Sequence, residues 1–139
     1  MREVSDHFLW TADGLRLHVA DFGGNEGPPL LFIHGSFGHA RVWDFVVSHL
    51  PRQRRAVAMD LPGHGESSHA PSEERYAFER LVEDIRAVVE FLGETPVLAG
   101  HSVGSGLAML CGASFPGLLA GAVLMDIDPR PPDRQPQHL

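Results

Sequence analysis

The order of segments in this 139-residue chain predicts an α/β protein, with a mostly parallel sheet and helices on both faces. Three observations carry that reading. After an opening hairpin, short apolar runs alternate with stretches of helical periodicity. The runs at Leu30–Ile33, Val97–Ala99 and Ala122–Met125 are apolar at every position, as in strands covered on both sides. Finally, Pro96–Gly106 reads as strand, abrupt turn and helix within a few residues.

The elements follow in order. His7–Thr11 and Leu15–Ala20 flank the turn residues Ala12-Asp13-Gly14 and predict a hairpin. Leu15, Leu17 and Val19 alternate with Arg16 and His18, which predicts one buried face. Asp21–Pro29, rich in Gly, Pro and Asn, reads as a loop. Leu30–Ile33 is a strand that stops at His34–Gly38. Ala40–Leu50 carries Val42, Phe45, Val46 and Leu50 at helical spacing and is closed by Pro51. Arg55–Met59 is a further apolar strand, running into Asp60–Ser67. Tyr76–Leu92 is the clearest amphipathic helix, with Phe78, Leu81, Val82, Ile85, Val88, Val89 and Leu92 on one side. Arg80 and Asp84 are expected as an i,i+4 pair on its outer side. The next helix runs to Phe115-Pro116, and Ala122–Met125 leads to Asp126–Pro129. Residues 1–129 form one predicted domain, and the Pro-rich tail 130–139 is expected to be unordered. Right-handed crossovers place the loops after parallel strands on one edge, so His34–Gly38, Asp60–Ser67, His101–Gly104 and Asp126–Pro129 are expected together.

Composition narrows the function classes. Eleven basic and 18 acidic residues give a net charge of −7, which argues against nucleic acid or an anionic membrane as partner. The lone Cys111 lies in an apolar helix and reads as a packed thiol. Met1–Asp6 lacks a signal-peptide pattern and no apolar run approaches membrane-spanning length, so a cytoplasmic location is expected. No histidine pair has zinc-ligand spacing on one helix, and no G-x-G-x-x-G follows the first parallel strand; neither a metal nor a nucleotide cofactor is expected.

The chemistry concentrates at Gly100-His101-Ser102-Val103-Gly104. In a strand-to-helix context, G-x-S-x-G forces its serine into a strained conformation that lifts the hydroxyl clear of the sheet. Gly100 and Gly104 fit where a Cβ would collide with the neighbouring strand or helix. The helix start at Val103 aims free N–H groups, and the positive end of the dipole, at the space beside Ser102.

Residues 7–129 resemble the first half of an α/β-hydrolase of the serine-nucleophile branch. The resemblance rests on His34-Gly35-Ser36-Phe37-Gly38, Asp60–Ser67 and Gly100–Gly104, on successive strand ends in the family's order. It implies Ser102 as nucleophile, which sets the chain apart from relatives that carry Asp there. It also implies an oxyanion hole from the backbone N–H of Val103 and that of Ser36 or Phe37. Carboxylic esters or similar small acyl compounds are the implied substrates. The stretch after the fourth strand, His64 included, is structural in the family. Family members place the catalytic histidine after the eighth strand. Here the strands reach a sixth, and His138 is not its positional equivalent. Asp126, where some relatives carry their acid, is the candidate acid ahead of Asp128; a D-I-x-P there is also commonly structural. His34 is expected to brace its loop and His101 to point away from the Ser102 hydroxyl. The expectation is therefore an incomplete hydrolase fold, inactive alone, with a non-catalytic interaction module as the alternative. Its last strand is expected to present a bare apolar edge, open to self-association.

Overall fold

The computed structural model describes residues 2–127; Asp128, the tail and His138 lie outside them. Strands β1 (Ser5–Trp10) and β2 (Arg16–Asp21) form the predicted hairpin. Strands β3 (Glu26–Ile33), β4 (Arg54–Met59), β5 (Val97–His101) and β6 (Gly121–Met125) run parallel to one another. Together they make one six-stranded sheet in the order β1-β2-β4-β3-β5-β6. Helices lie on both faces, as predicted. Leu31, Ile33, Val57 and Met59 pack on one side with α2 (Phe78–Leu92) and α3 (Val103–Ser114). On the other, Phe32 and the small residues Ala20, Ala56, Ala58 and Ala99 receive Ala40, Trp43 and Val47. Those three come from a 3₁₀ turn, Ala40–Trp43, that continues into α1 (Asp44–Ser48).

Four local expectations are corrected. Strand β3 begins inside the expected loop, because Glu26 pairs with Arg54 and a bulge over Gly27-Pro28-Pro29 restores register at Leu30. The expected stripe of Val42, Phe45 and Val46 faces outward, and Phe45 is 74% exposed. The 3₁₀ start rotates the segment, so Ala40, Trp43 and Val47 are the buried set. His18 is buried at 2% exposure rather than lying on an open face. Asp84 is not on the outer side of α2: it is 2% exposed and bound by Arg75, through contacts of 2.6 and 2.8 Å. Arg80 reaches Asp13 instead. Arg75 holds Asp13 too, keeping that carboxyl well below the usual carboxylate range through its hydrogen bond. A depressed folded pKa contributes stability that is present above the unfolded value of about 3.9 and is lost as pH falls below it. The urea midpoint is expected to drop between pH 5 and 3, and less steeply in Asp13→Asn.

Strand β6 closes the sheet on one side with its second edge unpaired among the described residues. Val123 and Leu124 on its two faces are 48% and 39% exposed. An apolar edge of that kind templates association. The chain is expected to sediment as dimers or larger species at tens of micromolar; a monomer with cooperative unfolding would contradict this.

Candidate active site

The carboxyl ends of β3, β4, β5 and β6 carry the four loops to one edge, and hydrogen bonds tie them to each other. Ser102 has φ 55° and ψ −115°, a conformation rare for a side-chain-bearing residue, between the end of β5 and the first turn of α3. Its N–H donates to the carbonyl of Met125 at the end of β6, 2.9 Å away. Its own carbonyl accepts from Ser105 N–H at 2.9 Å, which starts the helix. A Cβ on Gly100 would stand 2.2 Å from the Gly104 carbonyl oxygen, and one on Gly104 2.4 Å from that of Ile33. Both glycines are thus required by close backbone approach.

Ser105 had no role in the sequence reading. Its buried hydroxyl lies 2.7 Å from the carbonyls of both Gly100 and Met125 and accepts Met125 N–H at 3.0 Å. One side chain thereby joins α3, β5 and β6. The available signal was a small hydroxyl one helical turn after Ser102.

The loop after β3 is held from two sides. His34, fully buried, donates from Nδ1 to the Gly35 carbonyl at 2.7 Å and accepts Leu61 N–H on Nε2 at 3.1 Å. Burial lowers its pKa, partly offset by the Gly35 bond, as suits a neutral ring with one donor and one acceptor. His64 Nε2 donates to the Ser36 carbonyl at 2.7 Å. Because the peptide group is planar and trans, pinning that oxygen also orients the N–H of Phe37 on the opposite side. The N–H groups of Ser36, Phe37 and Val103 make no hydrogen bond among the described residues. The Phe37 side chain is 99% exposed. Gly35 lies against Ser102, since a Cβ on it would come within 3.5 Å of the serine Cβ.

The remaining candidates sort by what they touch. Asp126 follows β6 at φ 56°, and its side chain is 81% exposed, with Oδ2 3.7 Å from His101 Nε2. The Ser102 hydroxyl has no hydrogen-bond partner among the described residues. Ring nitrogens of His18, His34, His39, His49 and His64 are committed to other groups. Cys111 is fully buried, and burial pushes its thiol up to about 11, so it is an inert core thiol. No helix among the described residues is long and apolar enough to cross a membrane.

A parallel α/β sheet that displays a strained serine between strand and helix defines the hydrolase-type class of α/β proteins. Residues 28–138 match the profile of the alpha/beta hydrolase fold, and the chain belongs to that family. A serine hydrolase-like protein of Danio rerio is 35% identical over 127 residues, covering 91% of this chain and 39% of the relative. Among solved structures, a thioesterase domain from the curacin biosynthetic pathway superposes with a TM-score of 0.82 at 30% identity, over 91% of this chain and 47% of its own. Epoxide hydrolase VrEH1 from Vigna radiata gives a TM-score of 0.83 at 29% identity, over 96% and 44%. The chain thus spans less than half the length of each of these proteins.

Proposed function

We propose that the chain carries the nucleophile half of a serine hydrolase acting on carboxylic esters or related small acyl compounds. The observation that carries this reading is the strained Ser102 at the head of α3, against Gly35 of the loop after β3, with the N–H groups of Val103 and Phe37 unbonded among the described residues. In this reading Ser102 attacks the acyl carbon, and the carbonyl oxygen becomes an anion held by those two N–H groups. His64 fixes the Ser36 carbonyl and with it the peptide plane that carries the Phe37 N–H, which supports Phe37 ahead of Ser36 as the second donor. Loss of the alcohol leaves an acyl-serine, which water then cleaves. The names serine hydrolase-like protein and thioesterase domain, printed for two similar proteins, agree with acyl chemistry.

A serine hydroxyl also needs a base within about 3 Å to take its proton. None of the described histidines has a hydrogen bond to Ser102, so we assign the base to residues outside 2–127. In this reading Asp126, at the end of β6, is the candidate acid partner of that base. The same observation favours a second reading, a non-catalytic module of this fold, for the chain acting alone. A paired measurement separates the two: fluorophosphonate labelling and p-nitrophenyl acetate hydrolysis by the chain and by Ser102→Ala. Each is run with and without a polypeptide supplying the C-terminal portion of a relative. Labelling and turnover are expected only with the added portion, and only with Ser102 present. Without it, hydrolysis should stand at least ~10³-fold lower. Turnover that survives Ser102→Ala would overturn the nucleophile assignment; no turnover in any combination would favour the non-catalytic module.

A further inference from the structure

Two histidines from different strand ends hold consecutive peptide planes of the loop after β3. His34 donates from Nδ1 to the Gly35 carbonyl at 2.7 Å, and Gly38 N–H closes a turn on the same oxygen at 3.0 Å. The next carbonyl, that of Ser36, meets His64 Nε2 at 2.7 Å, from the loop after β4 and 28 residues away in sequence. The two rings lie against each other, with centroids 4.8 Å apart. A peptide plane fixed at its oxygen is fixed at its N–H as well. The planes held in this way carry the N–H groups of Ser36 and Phe37.

His64 can hold a partner still because its own backbone is tied on both sides. Its N–H donates to the Leu61 carbonyl at 3.0 Å, and its carbonyl accepts Ser67 N–H at 3.1 Å. The loop wraps the buried Asp60, which accepts Glu66 N–H at 3.0 Å and leaves no room for a Cβ on Gly65. The Ser36 carbonyl can only accept, so Nε2 carries hydrogen. With hydrogen on Nδ1 alone, two lone pairs would face each other across 2.7 Å. Nδ1 lies 3.0 Å from the Pro62 carbonyl, inside its own loop, so it is the Nε2 contact that crosses between strand ends.

We propose that His64 is a positioning residue for the anion-stabilising donors, an inference that rests on the reading of Ser102 as nucleophile. Its Nε2–H holds the peptide between Ser36 and Phe37, so the Phe37 N–H is set before an oxyanion forms. Donors that need no reorganisation as charge develops are the ones that lower a barrier. His64 touches no reacting atom; it acts through the Ser36 carbonyl. A histidine in the loop after β4 thereby governs a donor in the loop after β3, and no sequence spacing announces the pairing.

Amide side chains separate the two ring contacts. A Gln amide nitrogen takes the place of Nε2, and an Asn amide nitrogen that of Nδ1. Full chains carrying His64→Gln, His64→Asn and His64→Ala are compared with wild type in two measurements. In the chain alone, NMR relaxation gives the order parameter of the Phe37 amide. It is expected at ~0.85 in wild type and His64→Gln, and below ~0.6 in His64→Asn and His64→Ala. The second measurement is Ser102-dependent turnover of p-nitrophenyl acetate with the C-terminal portion of a relative supplied. There kcat should fall ~10- to 100-fold in His64→Asn and His64→Ala, with KM moving less than ~3-fold. His64→Gln should recover most of that loss. Equal kcat in His64→Asn and His64→Gln would make the residue merely structural and overturn the proposal. A Phe37 amide that is mobile in wild type, or still ordered in His64→Ala, would overturn it on the chain alone, whether or not turnover is assembled. Loss of order at Phe37 with no Ser102-dependent turnover in wild type would overturn the nucleophile reading and with it the oxyanion role, while still assigning the peptide plane to His64.

Discussion

Asp84→Ala is expected to cost about 3–5 kcal/mol, a large share of the roughly 5–15 kcal/mol by which a domain of this size is stable. The substitution leaves Arg75, itself 6% exposed, with a buried guanidinium that no longer has its two-bond partner. Asp13 stays in contact through Arg75 Nε at 2.7 Å, but it lies at the surface and compensates only in part. Burial by itself pushes the Asp84 carboxyl up toward protonation, and the two bonds from Arg75 work against that. A guanidinium does not release its proton to relieve the strain. The melting temperature should fall by roughly 10–20 °C. The double variant Arg75→Met/Asp84→Leu removes both charges and should recover most of the loss. Equal destabilisation in single and double variants would show that packing of Asp84, rather than the stranded charge, sets the cost.

Gly104→Ala is expected to destabilise by ~3 kcal/mol or more, since overpacking against backbone has no side chain to rotate away. The new Cβ would sit 2.4 Å from Ile33 O and 3.0 Å from His34 O, so α3 and β3 must separate. That movement also parts Val103 from the loop holding Phe37. On the proposed function, probe labelling of the chain supplied with a relative's C-terminal portion should therefore fall further than stability does. Gly112→Ala is the control in the same helix: its nearest contact would be Leu119 Cδ1 at 4.0 Å. It should be neutral, or stabilising by up to ~1 kcal/mol from helix propensity. Comparable losses at both positions would refute the close-approach argument.

These residues also show what the sequence makes legible. The turn at Ser102 is local: strand, glycines, serine and helix start lie within a dozen residues, and each constrains the next. The sheet was readable because β3, β5 and β6 are apolar at successive positions. The segment from Ala40 is ambiguous in sequence because it is apolar on several sides, and a 3₁₀ start selects the Trp43–Val47 side over the Phe45 side. Asp84 was placed by its i−4 neighbour, whereas its partner Arg75 precedes the helix and arrives through tertiary packing. His18 looked like the polar half of an alternating strand; the Asp60 loop covers it from a distance of forty-two residues. Long-range pairings of this kind leave no period in the chain.

The Ser105 hydroxyl ties the turn at Ser102 to β6, an edge strand among the described residues. Ser102 N–H and Ser105 Oγ both end on Met125, so the pose of the serine is borrowed from a strand whose second side is unpaired among the described residues. Edge strands open before a sheet's centre does. One excursion that lifts β6 releases both ties at once, and the amide protons of Ser102 and Met125 then exchange with solvent in a single cooperative event. On the proposed reading of Ser102 as nucleophile, the breathing of that edge would set the fraction of time for which its hydroxyl is presented. Whatever lays a further strand beside β6 would steady Ser102 without touching it.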